Sequence, residues 1–206
     1  MQYSNPSAGF SYLSRLGITS TQPAAYLLID RMWHNDTIVE ATTTGQTITS
    51  AAWPARDRDG STNGVDVLVG IEVSTATTNA GAITNTTLTY TNSAGTASRT
   101  ATMASFPATA VAGTFVPFQL QAGDDGVRSI QTLTLGTSYG GGTIHLVAYR
   151  VLAGPLAIMT ANGSDSLDFA GTGMPRCYDN TVPQLLLIPN ATTALTYWAM
   201  TQWAHG

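Results

Sequence analysis

Between Val65 and Val73 the chain reads V-D-V-L-V-G-I-E-V, placing Val65, Val67, Val69, Ile71 and Val73 on one face and Asp66 and Glu72 on the other. Side chains alternate faces with a period of two only in an extended strand, so this spacing predicts a half-buried strand and excludes a helix. Gly70, on the polar face, marks a bulge or a close neighbouring backbone. The pattern recurs downstream. Thr86, Leu88 and Tyr90 alternate with Thr87, Thr89 and Thr91, Asn92-Ser93-Ala94-Gly95 is turn material, and Thr96 to Met103 returns, which predicts a β-hairpin. Phe115 to Leu120 carries Pro117 and suits an edge or a bulge. Val127 to Leu135 follows a Gly/Asp turn, and Thr143 to Leu152, apolar on both faces, reads as a central strand. Ile38 to Ser50 adds a Thr-rich strand or hairpin around Gly45-Gln46. Short strands punctuated by turns at intervals of about 8–12 residues predict an all-β fold, an antiparallel β-sandwich of jelly-roll-like kind.

The ends read differently. Phe10, Leu13 and Leu16 stand at helical spacing before Gly17, predicting a short helix over Pro6 to Leu16. Tyr26 to Trp33 is apolar but its periodicity does not choose between strand and helix. The C-terminal part opens with Gly154-Pro155 and holds two apolar runs, Gln184 to Ile188 and Leu195 to Trp203. These features divide the chain into an N-terminal arm with a short helix (1–39), a β-sandwich core (40–152) and a C-terminal arm or subdomain (153–206). No repeat of about 20–50 residues is present, against a solenoid or propeller.

Charge narrows the functions. All 8 basic residues are arginine, the 12 acids leave a net charge of −4, and charged residues make up 10% of the chain, against about 25% in ordinary soluble domains. Without a polybasic footprint, electrostatic binding to nucleic acid is not expected. No run approaches the ~18 consecutive apolar residues of a membrane helix, and the opening MQYSNPSAGF lacks the basic-then-apolar pattern of a secretory leader. With 43% hydrophobic residues the chain is foldable despite its low charge. A single cysteine, Cys177, excludes an internal disulfide framework and a multi-cysteine zinc site.

Few residues suggest chemistry. Asp57, Asp59, Asn63 and Asp66 in RDRDGSTNGVD supply oxygen ligands at close spacing, as calcium would need. Yet the spacing is not that of an EF-hand, and Arg56 and Arg58 sit among them, so local Arg–Asp pairing is the simpler reading. His34 has Asp30 and Asp36 nearby in sequence but no ligand spacing such as H-x-x-x-H, His145 alternates with Val147 and Tyr149 as a packed core or interface residue would, and His205 is a tail residue. Gly140-Gly141-Gly142 precedes a strand and lacks the Lys-Ser/Thr of a phosphate loop, so it reads as a turn. Cys177 beside Arg176 is a reactive thiol or an inert packing residue. Trp33, Trp53, Trp198 and Trp203 could form a sugar-stacking platform or fill cores and interfaces. No catalytic residue, cofactor or metal is assigned, and a non-enzymatic role is expected.

Sheet edges are commonly guarded by lysine, which this chain never uses, so neighbouring polypeptides are expected to cover it. Leu186, Ile188, Trp198, Met200 and Trp203 are the candidate interface anchors. The stretches L-I-D-R-M-W-H-N-D, W-P-A-R-D-R-D-G, V-L-V-G-I-E-V-S-T-A-T-T-N-A-G and T-Y-T-N-S-A-G-T resemble virion structural proteins of tailed bacteriophages, over roughly residues 27–152. That resemblance implies a particle component assembled in the bacterial cytoplasm and located in the virion. It implies a capsid decoration or cement protein, a homo-oligomer such as a trimer, with the major capsid protein or other virion proteins as partners. Nucleic acid and membrane are not among the expected partners. The alternative is a tail or neck component with a receptor- or glycan-binding role, and the third an enzyme whose site is not recognisable.

Overall fold

The structure, a computed structural model, describes residues 3–190 and 193–206. Its strands are β1 (Ser11–Ser20), β2 (Ala24–Asn35), β3 (Gln46–Thr47), β4 (Val67–Thr75), β5 (Thr86–Asn92), β6 (Arg99–Met103), β7 (Phe115–Pro117), β8 (Val127–Thr134), β9 (Thr143–Ile158), β10 (Gly163–Leu167), β11 (Arg176–Cys177), β12 (Pro183–Pro189) and β13 (Tyr197–His205). One four-residue helix, α1 (Phe169–Thr172), is capped by the Asp168 carboxylate and ends at Gly173. The fold is all-β, an antiparallel sandwich. The chain divides into two compact units, residues 32–149 and residues 1–31 with 150–206, where the sequence places boundaries at 39/40 and 152/153. Strands β2 and β9 each contribute to both units.

In the 32–149 unit, β4 is the strand that the V-D-V-L-V-G-I-E-V pattern predicts. Val67, Val69, Ile71 and Val73 are buried, with Leu68 and Glu72 partly exposed. β4 pairs with β7, and Gly70 lies under the Phe115 ring, where an added Cβ would come within 2.5 Å. The predicted hairpin is β5–β6, and β8 lies on the other side of β5, in a sheet of order β3-β8-β5-β6. Apolar faces of this sheet and of β4 and β9 share one core: Val69, Ile71, Ile144 and Leu146 with Leu88, Tyr90, Ile130 and Leu133. Burying side chains of this size stabilises by roughly 1.5–3 kcal/mol each before chain entropy is set against it. The Thr-rich 38–50 segment supplies only the two residues of β3. The turn after Leu120 is fastened by Asp124, whose carboxylate accepts from Tyr90 Oη (2.5 Å), Asn92 Nδ2 (2.7 Å) and Arg99 Nε (2.9 Å). The hydrogen bond from Arg99 leads in lowering the Asp124 pKa to about 2. Burial, helped by the bond to Asp124, pushes the Tyr90 phenol up to about 12.

The other unit joins the two ends of the chain. β1 is paired along its length by β13 and flanked on its other side by β10 and β11; β12 pairs with β2. Leu13, Leu16 and Ile18 pack with Tyr26, Leu28, Leu152, Leu156 and Ile158. The predicted helix over Pro6 to Leu16 is not found; the segment leads into β1. The register between β1 and β13 slips between Leu13 and Arg15. That bulge resets the alternation, so Leu13 and Leu16 both face inward at a three-residue spacing that imitates a helix. Tyr26 to Trp33 belongs to a strand. β9 continues through Gly154-Pro155, whose peptide bond is cis, so the strand extends past the predicted end at Leu152.

Candidate functional site

The calcium-like loop is closed on itself. Asp57, fully buried, accepts on Oδ1 from the N–H of Asp59 (3.1 Å) and Ser61 (2.6 Å). On Oδ2 it accepts from Ser61 Oγ (2.7 Å) and from the N–H of Gly64 (3.0 Å) and Val65 (3.1 Å). Arg58 holds the other two acids, Asp59 at 3.2 Å and Asp66 at 3.1 Å. The four residues Asp57, Asp59, Asn63 and Asp66 are thus not gathered as one ligand set. Among the described residues, no group of three His, Cys, Asp or Glu is placed to hold a metal ion. Asp57 is a loop organiser, with its lone pairs aimed at backbone donors.

The histidines fall into two places. His34 and His145 meet edge to face with ring centroids 6.0 Å apart, and His145 Nδ1 lies 3.1 Å from the Asn35 carbonyl. His205 Nδ1 is 2.8 Å from the Ser11 hydroxyl. Cys177 is fully buried, and burial pushes its thiol up to about 12, so it is protonated at neutral pH. Around it stands a cluster that the sequence does not announce. Buried Arg150 donates to the Arg176 carbonyl (2.8 Å), and Arg176 stacks on Phe10 (3.5 Å) and Tyr178 (4.6 Å). Buried Asp30 accepts the N–H of Val182 (2.9 Å). These residues come from five separate stretches of chain, so no local motif marks them.

Three of the four tryptophans are packed. Trp53 is buried, packs at a tilt against Trp33 (ring centroids 5.3 Å apart) and donates its indole N–H to the Val127 carbonyl (2.5 Å). Trp203 stacks on Tyr3 at 4.8 Å, so this candidate anchor is committed within its own unit. Trp198 is 79% exposed and Met200 50% exposed. Leu186 is half-buried and Ile188 is 50% exposed, beside Leu187.

Trp198 and Met200 stand at an open groove of about 570 Å3 across β10, β1 and β13. The register explains its shape. Ser166, Gly17 and Met200 form one row across the three strands, and Ser164, Thr19 and Trp198 the next. Gly17 has no side chain, so the middle of the face sinks, with Arg15 at one end and Thr19 at the other. Arg15 donates to Ser166 Oγ (3.2 Å), and Asp165, also at the groove, accepts the Ser166 N–H (2.7 Å). The face is therefore mixed: an indole and a thioether on one wall, hydroxyls on the other, and the Arg15 guanidinium, while Asp165 stands in the intervening row with Ile18 and Ala199. Sequence reasoning found Trp198 and Met200 but not Arg15, Ser164, Asp165 or Ser166, which come from a strand pairing invisible in the local pattern.

A scan against protein-family models finds no match for this chain, and comparisons with curated proteins and with solved structures likewise find none.

Proposed function

We propose that this chain is a non-enzymatic structural protein of a bacteriophage particle, a capsid decoration or cement protein that acts by holding to further copies of itself and to the shell. The observation that carries the reading is β12. This strand, P-Q-L-L-L-I-P, pairs with β2 on one side and ends its sheet on the other. Leu187 is 38% and Ile188 50% exposed, and downstream of Asp179 the chain has no Asp, Glu, Lys or Arg. An apolar sheet edge without charged guards invites another strand. Pro183 and Pro189 bracket it, limiting any added strand to the span between them. A second copy pairing antiparallel at this edge would make a self-complementary contact of the two-fold kind. Burying Leu187 and Ile188 across such joints stabilises the assembled shell over its parts by mass action.

Two measurements test the reading. Light scattering of the full chain is expected to show a concentration-dependent oligomer, and Ile188→Lys to shift it to the smaller species without lowering Tm by more than about 2 °C. Mass spectrometry of purified particles of the encoding phage is expected to find the chain in many copies. A chain that stays monomeric throughout, or that is missing from the particles, refutes the proposal. Point substitution is the better tool here. Removing residues 184–206 would strip β13 from β1 and uncover Leu13 and Leu16.

A further inference from the structure

We infer that the groove over Gly17 is a binding site for a neutral carbohydrate chain, with Trp198 as its stacking platform. The inference does not rest on the assembly reading, which uses β12. The central strand of this face is paired on both sides: β1 has β10 on one side and β13 on the other. The floor of the groove over β1 therefore offers a ligand side chains and no free backbone ladder; β10 and β13 each keep an outer edge with no partner among the described strands, but a peptide strand added there would extend the sheet sideways and not fill the groove. What it offers is an exposed indole, the Met200 thioether, the hydroxyls of Thr19, Ser164 and Ser166, and the Arg15 side chain. Among the described residues the Thr19 and Ser164 hydroxyls and the Trp198 indole N–H have no hydrogen-bond partner in the chain.

A pyranose ring has the matching chemistry. Its C–H face is apolar and packs on an aromatic ring, and its rim of hydroxyls both donates and accepts. The guanidinium fork of Arg15 donates to ring or hydroxyl oxygens, and the serine and threonine hydroxyls both donate and accept. Arg15 is the single charged side chain in the rows that face the groove, and it is held on Ser166 Oγ, so the face lacks the several cations that a polyanion would need. A nucleic acid or a sulfated chain is disfavoured, and a lipid surface would strand the hydroxyls away from water. The volume of about 570 Å3 suits a short oligosaccharide lying across the strands. Gly17 keeps the floor open. A Cβ there would meet only the Met200 Cε at 3.7 Å and the Ser166 Cβ at 3.8 Å, so a larger side chain can be accommodated by the fold while occupying the groove.

The test uses the full chain on an array of neutral, sialylated and sulfated oligosaccharides. The strongest binder is then titrated while indole fluorescence is followed. Neutral glycans are expected to bind, with a shift in the tryptophan emission. Trp198→Ala is expected to weaken binding by about tenfold or more, and Trp198→Phe to restore most of it. Gly17→Val should block the groove with Tm and elution volume unchanged, which separates occupancy from folding. Three results overturn the inference: no neutral glycan bound, binding by Trp198→Ala and Gly17→Val as tight as by wild type, or preference for the acidic members. If Trp198→Ala instead changes the oligomeric state and no sugar binds, the face is a contact between copies and the inference is likewise overturned. Ile188→Lys leaves the groove untouched, so failure of one reading does not imply failure of the other.

Discussion

Replacing Asp57 by alanine removes one carboxylate and five hydrogen bonds together, in the loop where the sequence suggested calcium. Four of the five donors are backbone N–H groups, and the Gly64 N–H is buried. Losing the partner of a buried donor costs about 1–3 kcal/mol. The donors of Asp59, Ser61 and Val65 are only part-buried and recover water, so each adds a few tenths. Gly64 adds to the cost because it is held at φ +81° against the Val127 carbonyl, and the Asp57 bonds help fix that approach. The sum is about 3 kcal/mol, or a fall in Tm of about 6–12 °C for a chain of this size. Asp57→Asn is not conservative, because its NH2 would face N–H donors at either oxygen position, and about 2 kcal/mol of loss is expected. Thermal unfolding followed by circular dichroism, with and without calcium, reads both effects. The wild-type Tm should be indifferent to calcium. A variant melting within about 1 °C of wild type would refute the reasoning. So would a calcium-dependent rise in Tm that vanishes with Asp57, since the carboxylate would then be a metal ligand.

Other consequences are as direct. Asp124, depressed to about 2 in the folded chain, contributes stability that is present above its ordinary carboxylate range and lost as pH falls toward 2. Acid titration of unfolding should show this loss, and Asp124→Asn should remove that part of the pH dependence. Cys177, pushed up to about 12 by burial, should resist thiol reagents in the native protein and react on unfolding; fast native labelling would contradict the packing. Gly64→Ala would put a Cβ 1.9 Å from the Val127 carbonyl oxygen in a left-handed conformation. A loss of about 3–5 kcal/mol in a urea titration is expected, and a neutral effect would mean that the two loops do not meet.

The alternating residues of β4, β5 and β8 settled the fold class from sequence alone, because burial of one face imposes a period of two that each residue reports locally. Loop chemistry was legible in the same way: Asp57 and Arg58 find their partners within eight positions, which is why local Arg–Asp pairing could be read from RDRDGSTNGVD. The N-terminal strand was not legible, because a bulge after Leu13 gives its inward residues a helix-like interval. β10 and β11 were invisible as well; G-S-D-S-L and R-C carry little apolar signal and exist as strands because β1 offers its edge. The groove belongs to this second class. Trp198 announces an aromatic in the sequence, but its exposure, the gap over Gly17 and the nearness of Arg15 and Ser166 depend on two strand registers that join residues about 150 or more positions apart. Local pattern fixes which way a side chain faces; only the pairing of distant strands decides which side chains share a surface.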